Sequence, residues 1–158
     1  MRRRFNTAGS CNPQRHYMVD LDARLRRIKE DYVDEGSYFV INKGRQYGKT
    51  TTLNALEKYL KDEYIVLALD FQEVETGNFA DGVIFSQAFV KKLSMAIRRI
   101  EAEDREQLRK MLQDFGSDPA GGGLDELFEC LSGMCENSSR PIVLMIDEVD
   151  SASNNQVF

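Results

Sequence analysis

Histidine and cysteine are scarce in this chain. One histidine, His16, and three cysteines, Cys11, Cys130 and Cys135, are spread over 158 residues. A structural zinc needs four close nitrogen or sulfur ligands. Cys130 and Cys135 stand five apart with no second pair to complete a set, which argues against a metal module. The thiols read as reduced, as in a cytoplasmic protein. Long apolar runs are also missing: no stretch approaches the roughly 18 residues of a membrane-crossing helix. The opening MRRRF is basic, but the NTAGSCNPQRH that follows has no apolar run, so it is no secretory signal. Positive charge is not in excess either. A formal net charge of −5 is a poor prior for non-specific DNA or membrane binding, although it leaves room for a local basic patch. Neither an internal repeat nor a low-complexity block is visible.

What is present is a chain 42% apolar, enough for a core in one domain. Residues 1–16 are polar and irregular and read as an N-terminal arm. Leu21, Leu25, Ile28 and Tyr32 recur on one helical face, with Arg24, Arg26, Arg27, Lys29 and Glu30 on the solvated rest. Gly36 is placed to cap that helix. SYFVIN (37–42) reads as a strand, and Leu53, Leu56 and Leu60 mark a helix of about four turns after it. EYIVLALDF (63–71) is a second strand, apolar enough to be buried on both faces of a parallel sheet. A polar stretch, 72–81, precedes a long helix carrying Phe85, Phe89, Leu93, Ile97 and Ile100. A charged helix over about 102–114 follows. FGSDPAGGG (115–123) reads as a loop, since no lysine or strand stands beside its glycines. Leu124, Leu127, Phe128, Leu131 and Met134 make a further amphipathic helix, and RPIVLMIDEVD (140–150) a third apolar strand. Buried strands alternating with helices predict a layered α/β fold with a parallel sheet.

The chemistry concentrates in NKGRQYGKTTT (42–52). A phosphate-binding loop reads G-x-x-x-x-G-K-[ST]. Gly48, Lys49 and Thr50 supply its end, but the first glycine should fall at 43, where Lys43 stands, with Gly44 one residue late. Three features lift the triplet above a chance GKT: an apolar strand before it, a helix after it, and an apolar strand ending in Asp147-Glu148 downstream. A polyphosphate needs backbone N–H groups aimed at it, and a loop feeding a helix N-terminus supplies them. In that reading Lys49 reaches the β- and γ-phosphates, the Thr50 hydroxyl ligates Mg²⁺, and Asp147 holds the ion through water. Glu148 orients and deprotonates the attacking water. The plainer alternative makes Lys49 a surface lysine and Asp147-Glu148 a solvated strand end.

GRQYGKTTTL together with PIVLMIDEVDS resembles the AAA+ and AAA-like signal-transduction P-loop ATPases, in particular those whose loop reads G-P-R-Q-x-G-K-T. The resemblance runs from about residue 16 to the end, so residues 17–158 are expected to be a partial AAA-like domain. It implies ATP and Mg²⁺ as ligands. Lys43, Gly44, Arg45, Gln46, Tyr47, Gly48, Lys49, Thr50 and Thr51 would form the loop, with Lys49 and Glu148 as the catalytic pair and Thr50 and Asp147 on the metal. It also implies that Tyr17, Met18 and Val19 pack on the adenine; alternatively they cap the core under the first helix. Lys43 in place of glycine implies a loop of slightly altered geometry.

In proteins of this kind the sheet order runs fifth, first, fourth, third, second. The expected core is therefore a three-layer P-loop NTPase fold that is incomplete, lacking the strands after the Asp-Glu strand. The expectation is the N-terminal part of a longer ATPase, hydrolysing negligibly by itself, with open sheet edges that invite self-association or a protein partner. The competing expectation is an inactive nucleotide-fold fragment that serves as a protein-interaction module. A small-molecule kinase is disfavoured, because a water-activating Glu148 suits hydrolysis. No membrane partner is expected, and a nucleic-acid partner is left open.

Overall fold

The computed structural model describes residues 4–5, 14–17, 19–42, 47–72, 76–79, 81–113, 115 and 122–148. It is mixed α/β, with five α-helices and a two-stranded parallel sheet among these residues. The chain divides into two compact units, Met1–Lys61 and Asp62–Phe158.

In the first unit, α1 (Asp22–Ile28) opens with an acidic residue and closes with Arg26 and Arg27, both complementing the helix dipole. Leu25 is buried and Ile28 half-buried, while the arginines face solvent as the periodicity predicts. The helix widens into a π-turn over Lys29–Val33, where the Asp34 amide donates to the Lys29 carbonyl. It ends at Gly36, whose φ of +62° favours glycine. The Gly36 amide donates to the Val33 carbonyl and the Ser37 amide to that of Tyr32, a paired closure that satisfies two terminal carbonyls.

Residues 37–42 depart from the strand that their composition predicts. They form no strand, and no ladder partner stands beside them among the described residues. Tyr38 and Val40 are open to solvent, and only Phe39 finds a ring, that of Tyr32 at 5.1 Å. Strand propensity measures fit to a paired, half-covered surface, and without a neighbour the β-formers have nothing to fit. The next helix, α2 (Lys49–Leu60), starts where the loop motif requires. Leu56 and Leu60 are buried, and so is Thr52.

The second unit is built on β1 (Ile65–Asp70) and β2 (Ile142–Asp147), paired in parallel from Ile65↔Ile142 to Asp70↔Asp147. Between them run α3 (Gly82–Ile97), α4 (Ala102–Gln113) and α5 (Leu124–Asn137). The core joins Ile65, Leu67 and Leu69 of β1 to Phe85, Phe89, Leu93 and Ile97 of α3, Leu108 of α4, and Leu127 and Met134 of α5. Phe71, Phe79, Phe85 and Phe89 form an aromatic knot with centroids 5.8 to 6.5 Å apart. Phe79 sits on a 3₁₀ turn, Thr76–Phe79, inside the stretch read as polar, and one residue there is enough to pin it to the core. Phe128 goes the other way and is 62% exposed, although its spacing places it on the apolar face. The start of α3 is fixed by Asp81, whose carboxylate accepts from the Val83 and Ile84 amides at 2.8 and 3.0 Å.

The approach to β2 is tied to the first turn of α4 by charge. Asp104, 5% exposed, accepts from the Ser139 hydroxyl at 2.5 Å and from the Arg140 guanidinium at 2.5 Å. These bonds, the Ser139 hydroxyl first, hold the Asp104 carboxyl below its ordinary value against the opposing effect of burial.

Candidate functional site

Gly48 has φ +76° and ψ +34°, the left-handed conformation, and hands directly into α2 at Lys49. A side chain at 48 would meet no atom closer than Thr51 Cβ at 3.9 Å, so glycine is required by backbone shape and not by crowding. The Gly48 carbonyl accepts twice from one residue: the Thr52 amide at 2.9 Å and the Thr52 hydroxyl at 2.8 Å. This clamp fixes the first turn. The loop pattern does not single out Thr52; its signal is its place four residues after Gly48, where a hydroxyl reaches back to the carbonyl. Glycine has no side chain to cap the helix, and α2 has no side-chain cap. A helix start of this kind aims its first-turn N–H groups outward, the arrangement that receives an anion. Lys49 and Thr51 are half-buried, and Tyr47 and Thr50 are exposed. Lys43, Gly44, Arg45, Gln46 and Met18 lie outside the described residues.

Tyr17 and Val19, the flanks of the segment compared with an adenine-packing one, are both exposed, Val19 at 81%. The Tyr17 ring lies 5.1 Å from Phe5.

The acidic residues Asp147 and Glu148 lie in the second unit. Asp147 ends β2, its carbonyl accepting from the Phe71 amide at 3.1 Å and its Oδ1 from the Glu148 amide at 3.0 Å. Glu148 has φ +57°, the one non-glycine residue with positive φ among the described residues. A side chain in that region costs about 1–2 kcal/mol, and such strain collects at ligand sites. The register sets Asp70 directly beside Asp147, with Asp70 Oδ1 accepting from the Gln72 amide at 2.8 Å. The motif passes over Asp70 as well, yet LALD and LMID carry the same message, an apolar strand closed by aspartate at its carboxyl end. That end is where parallel α/β sheets bind ligands.

A magnesium ion at a nucleotide site takes one or two carboxylates and completes its shell with phosphate and water. Asp147, oxygen-bearing and half-buried at a strand end, has the donor chemistry for it. No group of three or more His, Cys, Asp and Glu side chains is gathered for a metal among the described residues. No described helix is long and apolar enough to cross a membrane.

These observations define a mixed α/β chain with a glycine-opened helix start and an acidic strand end. No known family model, curated protein or solved structure matches it.

Proposed function

We propose that the chain is a Mg²⁺-dependent ATP-binding module of the AAA-like P-loop type. The observation that carries this reading is the left-handed Gly48 opening α2 inside a G-K-T sequence. The parallel β1–β2 pair supports it as well: the second and third strands are neighbours in the sheet order of such proteins. Strain at Glu148, next to Asp147, fits a carboxylate held for work on water. In this reading Lys49 neutralises the β- and γ-phosphates, Thr50 and Asp147 hold the magnesium, and Glu148 is the base. The ion would supply charge neutralisation on the phosphate oxygens.

Thermal unfolding with and without Mg·ATP tests it, because a ligand bound only to the native state stabilises by about 2.7 kcal/mol at a hundredfold excess over Kd. Lys49→Ala should abolish that shift. Asp147→Asn should weaken it in magnesium and leave the metal-free protein unchanged, and Glu148→Gln should keep it. An upward shift that survives Lys49→Ala removes the loop from the site.

A second reading, a protein-interaction module without catalysis, is favoured by the open faces of Tyr38 and Val40 on an unladdered segment and by the 39% exposure of Leu144 in β2. Light scattering separates the two: a concentration-dependent mass with no Mg·ATP shift selects the second.

A further inference from the structure

The net charge of −5 conceals two opposite halves. Residues 1–61 carry thirteen Lys and Arg against seven Asp and Glu, whereas residues 62–158 carry eight against nineteen. The first unit is therefore +6 and the second −11. Within the first unit the sequence before Asp20 contains four arginines and no acidic residue. Asymmetry of this size between halves is a physical marker of a polyanionic partner for the basic half.

The structure gives the basic end a second property. Arg4 and His16 form an isolated parallel bridge, closed by the Arg4 amide donating to the Arg15 carbonyl and the Tyr17 amide donating to the Arg4 carbonyl, both at 3.0 Å. The bridge sets Phe5 and Tyr17 side by side, centroids 5.1 Å apart and planes tilted by 39°. Phe5 is 80% exposed and Tyr17 53%. Two aromatic rings fixed by backbone bonds, facing water and flanked by the exposed Arg4 and Arg15, contribute little to any core. They have the composition of a surface on which bases stack while arginine meets phosphate.

We infer that the Phe5–Tyr17 pair with Arg4 and Arg15 is a stacking platform for single-stranded nucleic acid. Duplex is disfavoured because its bases are already stacked and offer no free face. An anionic membrane would use the arginines but has no planar partner for a pair of rings held by a backbone bridge. Stacking reads neither base identity nor sugar, so the platform takes single-stranded DNA and RNA alike. Lys49 has no part in this platform, and Tyr17 is the one residue it shares with the segment compared with an adenine-packing one.

The test is fluorescence anisotropy of a labelled twelve-nucleotide oligo(dT) titrated with the full chain at rising NaCl. Binding is expected to weaken with salt, and Arg4→Ala with Arg15→Ala should lower the salt slope by about 0.7 for each phosphate no longer neutralised. Phe5→Ala and Tyr17→Ala should each weaken binding by roughly 5- to 150-fold, the range of one base–aromatic stack. Phe5→Trp and Tyr17→Trp should keep it, with indole fluorescence quenched on addition of the oligonucleotide. Lys49→Ala should bind oligo(dT) normally. Circular dichroism confirms that the variants are folded. The proposal is overturned if the alanine variants bind as the parent does or if vesicles with about 30% phosphatidylserine compete as well as unlabelled oligo(dT). Displacement of the oligonucleotide by millimolar Mg·ATP at constant ionic strength overturns it too, by assigning the rings to the mononucleotide.

Discussion

Replacing Arg140 by methionine removes a guanidinium and keeps most of the aliphatic stem. The Asp104 carboxylate then loses one of its two short bonds and keeps that of Ser139. Stranding a fully buried charge costs about 3–5 kcal/mol. The Arg140 side chain is 28% exposed, however, so water reaches the vacated place, and the loss falls toward that of one charge-assisted hydrogen bond, about 1.5–3 kcal/mol. Glu101, 3.8 Å away and 75% exposed, adds little. The expected loss is about 2 kcal/mol, read as a lower urea midpoint with unchanged m. Asp104→Leu combined with Arg140→Met should recover most of it, because no charge is left without its partner. The pH dependence supplies an independent check. The folded Asp104 carboxyl lies below its ordinary value, so its stabilisation is complete above about pH 4 and is lost as pH falls through the folded value. Asp104→Asn should flatten that acid limb. A loss under about 0.5 kcal/mol in Arg140→Met, or an unchanged acid limb in Asp104→Asn, would refute the assignment of this pair as the anchor of β2.

Three further outcomes are expected. Gly48→Ala has room for its methyl group but not the backbone, and should cost about 1–2 kcal/mol in thermal unfolding, with Gly48→Asn costing less. Glu148→Gly relieves the positive φ and should raise stability by up to about 1 kcal/mol; a net decrease instead would make the side chain structural. Leu93→Ala empties a fully buried site in α3 and should cost about 2–5 kcal/mol by chemical denaturation, whereas Phe128→Ala, on an exposed ring, should change stability by less than about 0.5 kcal/mol.

The second unit is legible in the sequence wherever burial and period agree. The long helix carrying Phe85, Phe89, Leu93 and Ile97 and the parallel pair of apolar strands follow from local chemistry that packing reinforces, whereas the sequence pattern does not single out the Asp81 cap that starts the helix. Gly36 is readable for a similar reason, since the end of a helix favours a left-handed glycine there, whereas Gly48 is read from the loop motif and its left-handed φ is seen in the structure. SYFVIN misleads because its β-formers describe what the segment can do beside a neighbour, and a neighbour is a property of the whole fold. Phe128 misleads because one helical face is wider than the space that covers it. Thr52 and Asp70 are easily overlooked because their importance lies in a partner, a carbonyl one turn back or an aspartate 77 residues on. The charge division between the halves is countable from the sequence but invisible in a single net value.

The parallel pairing of β1 with β2 also has a consequence for how the chain comes into being. Every residue of β1 finds its partner 77 positions later. Closing a loop of that length costs about 4 kcal/mol of chain entropy before any ladder bond offsets it. At ribosomal speeds of about 5–20 residues per second, Ile65 through Leu69 wait roughly 4–15 s for β2 to be made. Through that interval the Thr76–Phe79 turn, α3, α4 and α5 are made in turn, and their core residues come to cover the strand. The helices between the strands are therefore the nascent chain's protection against its own first strand. Slowing translation between residues 98 and 141 should lengthen exposure of that strand to chaperones without changing the finished fold.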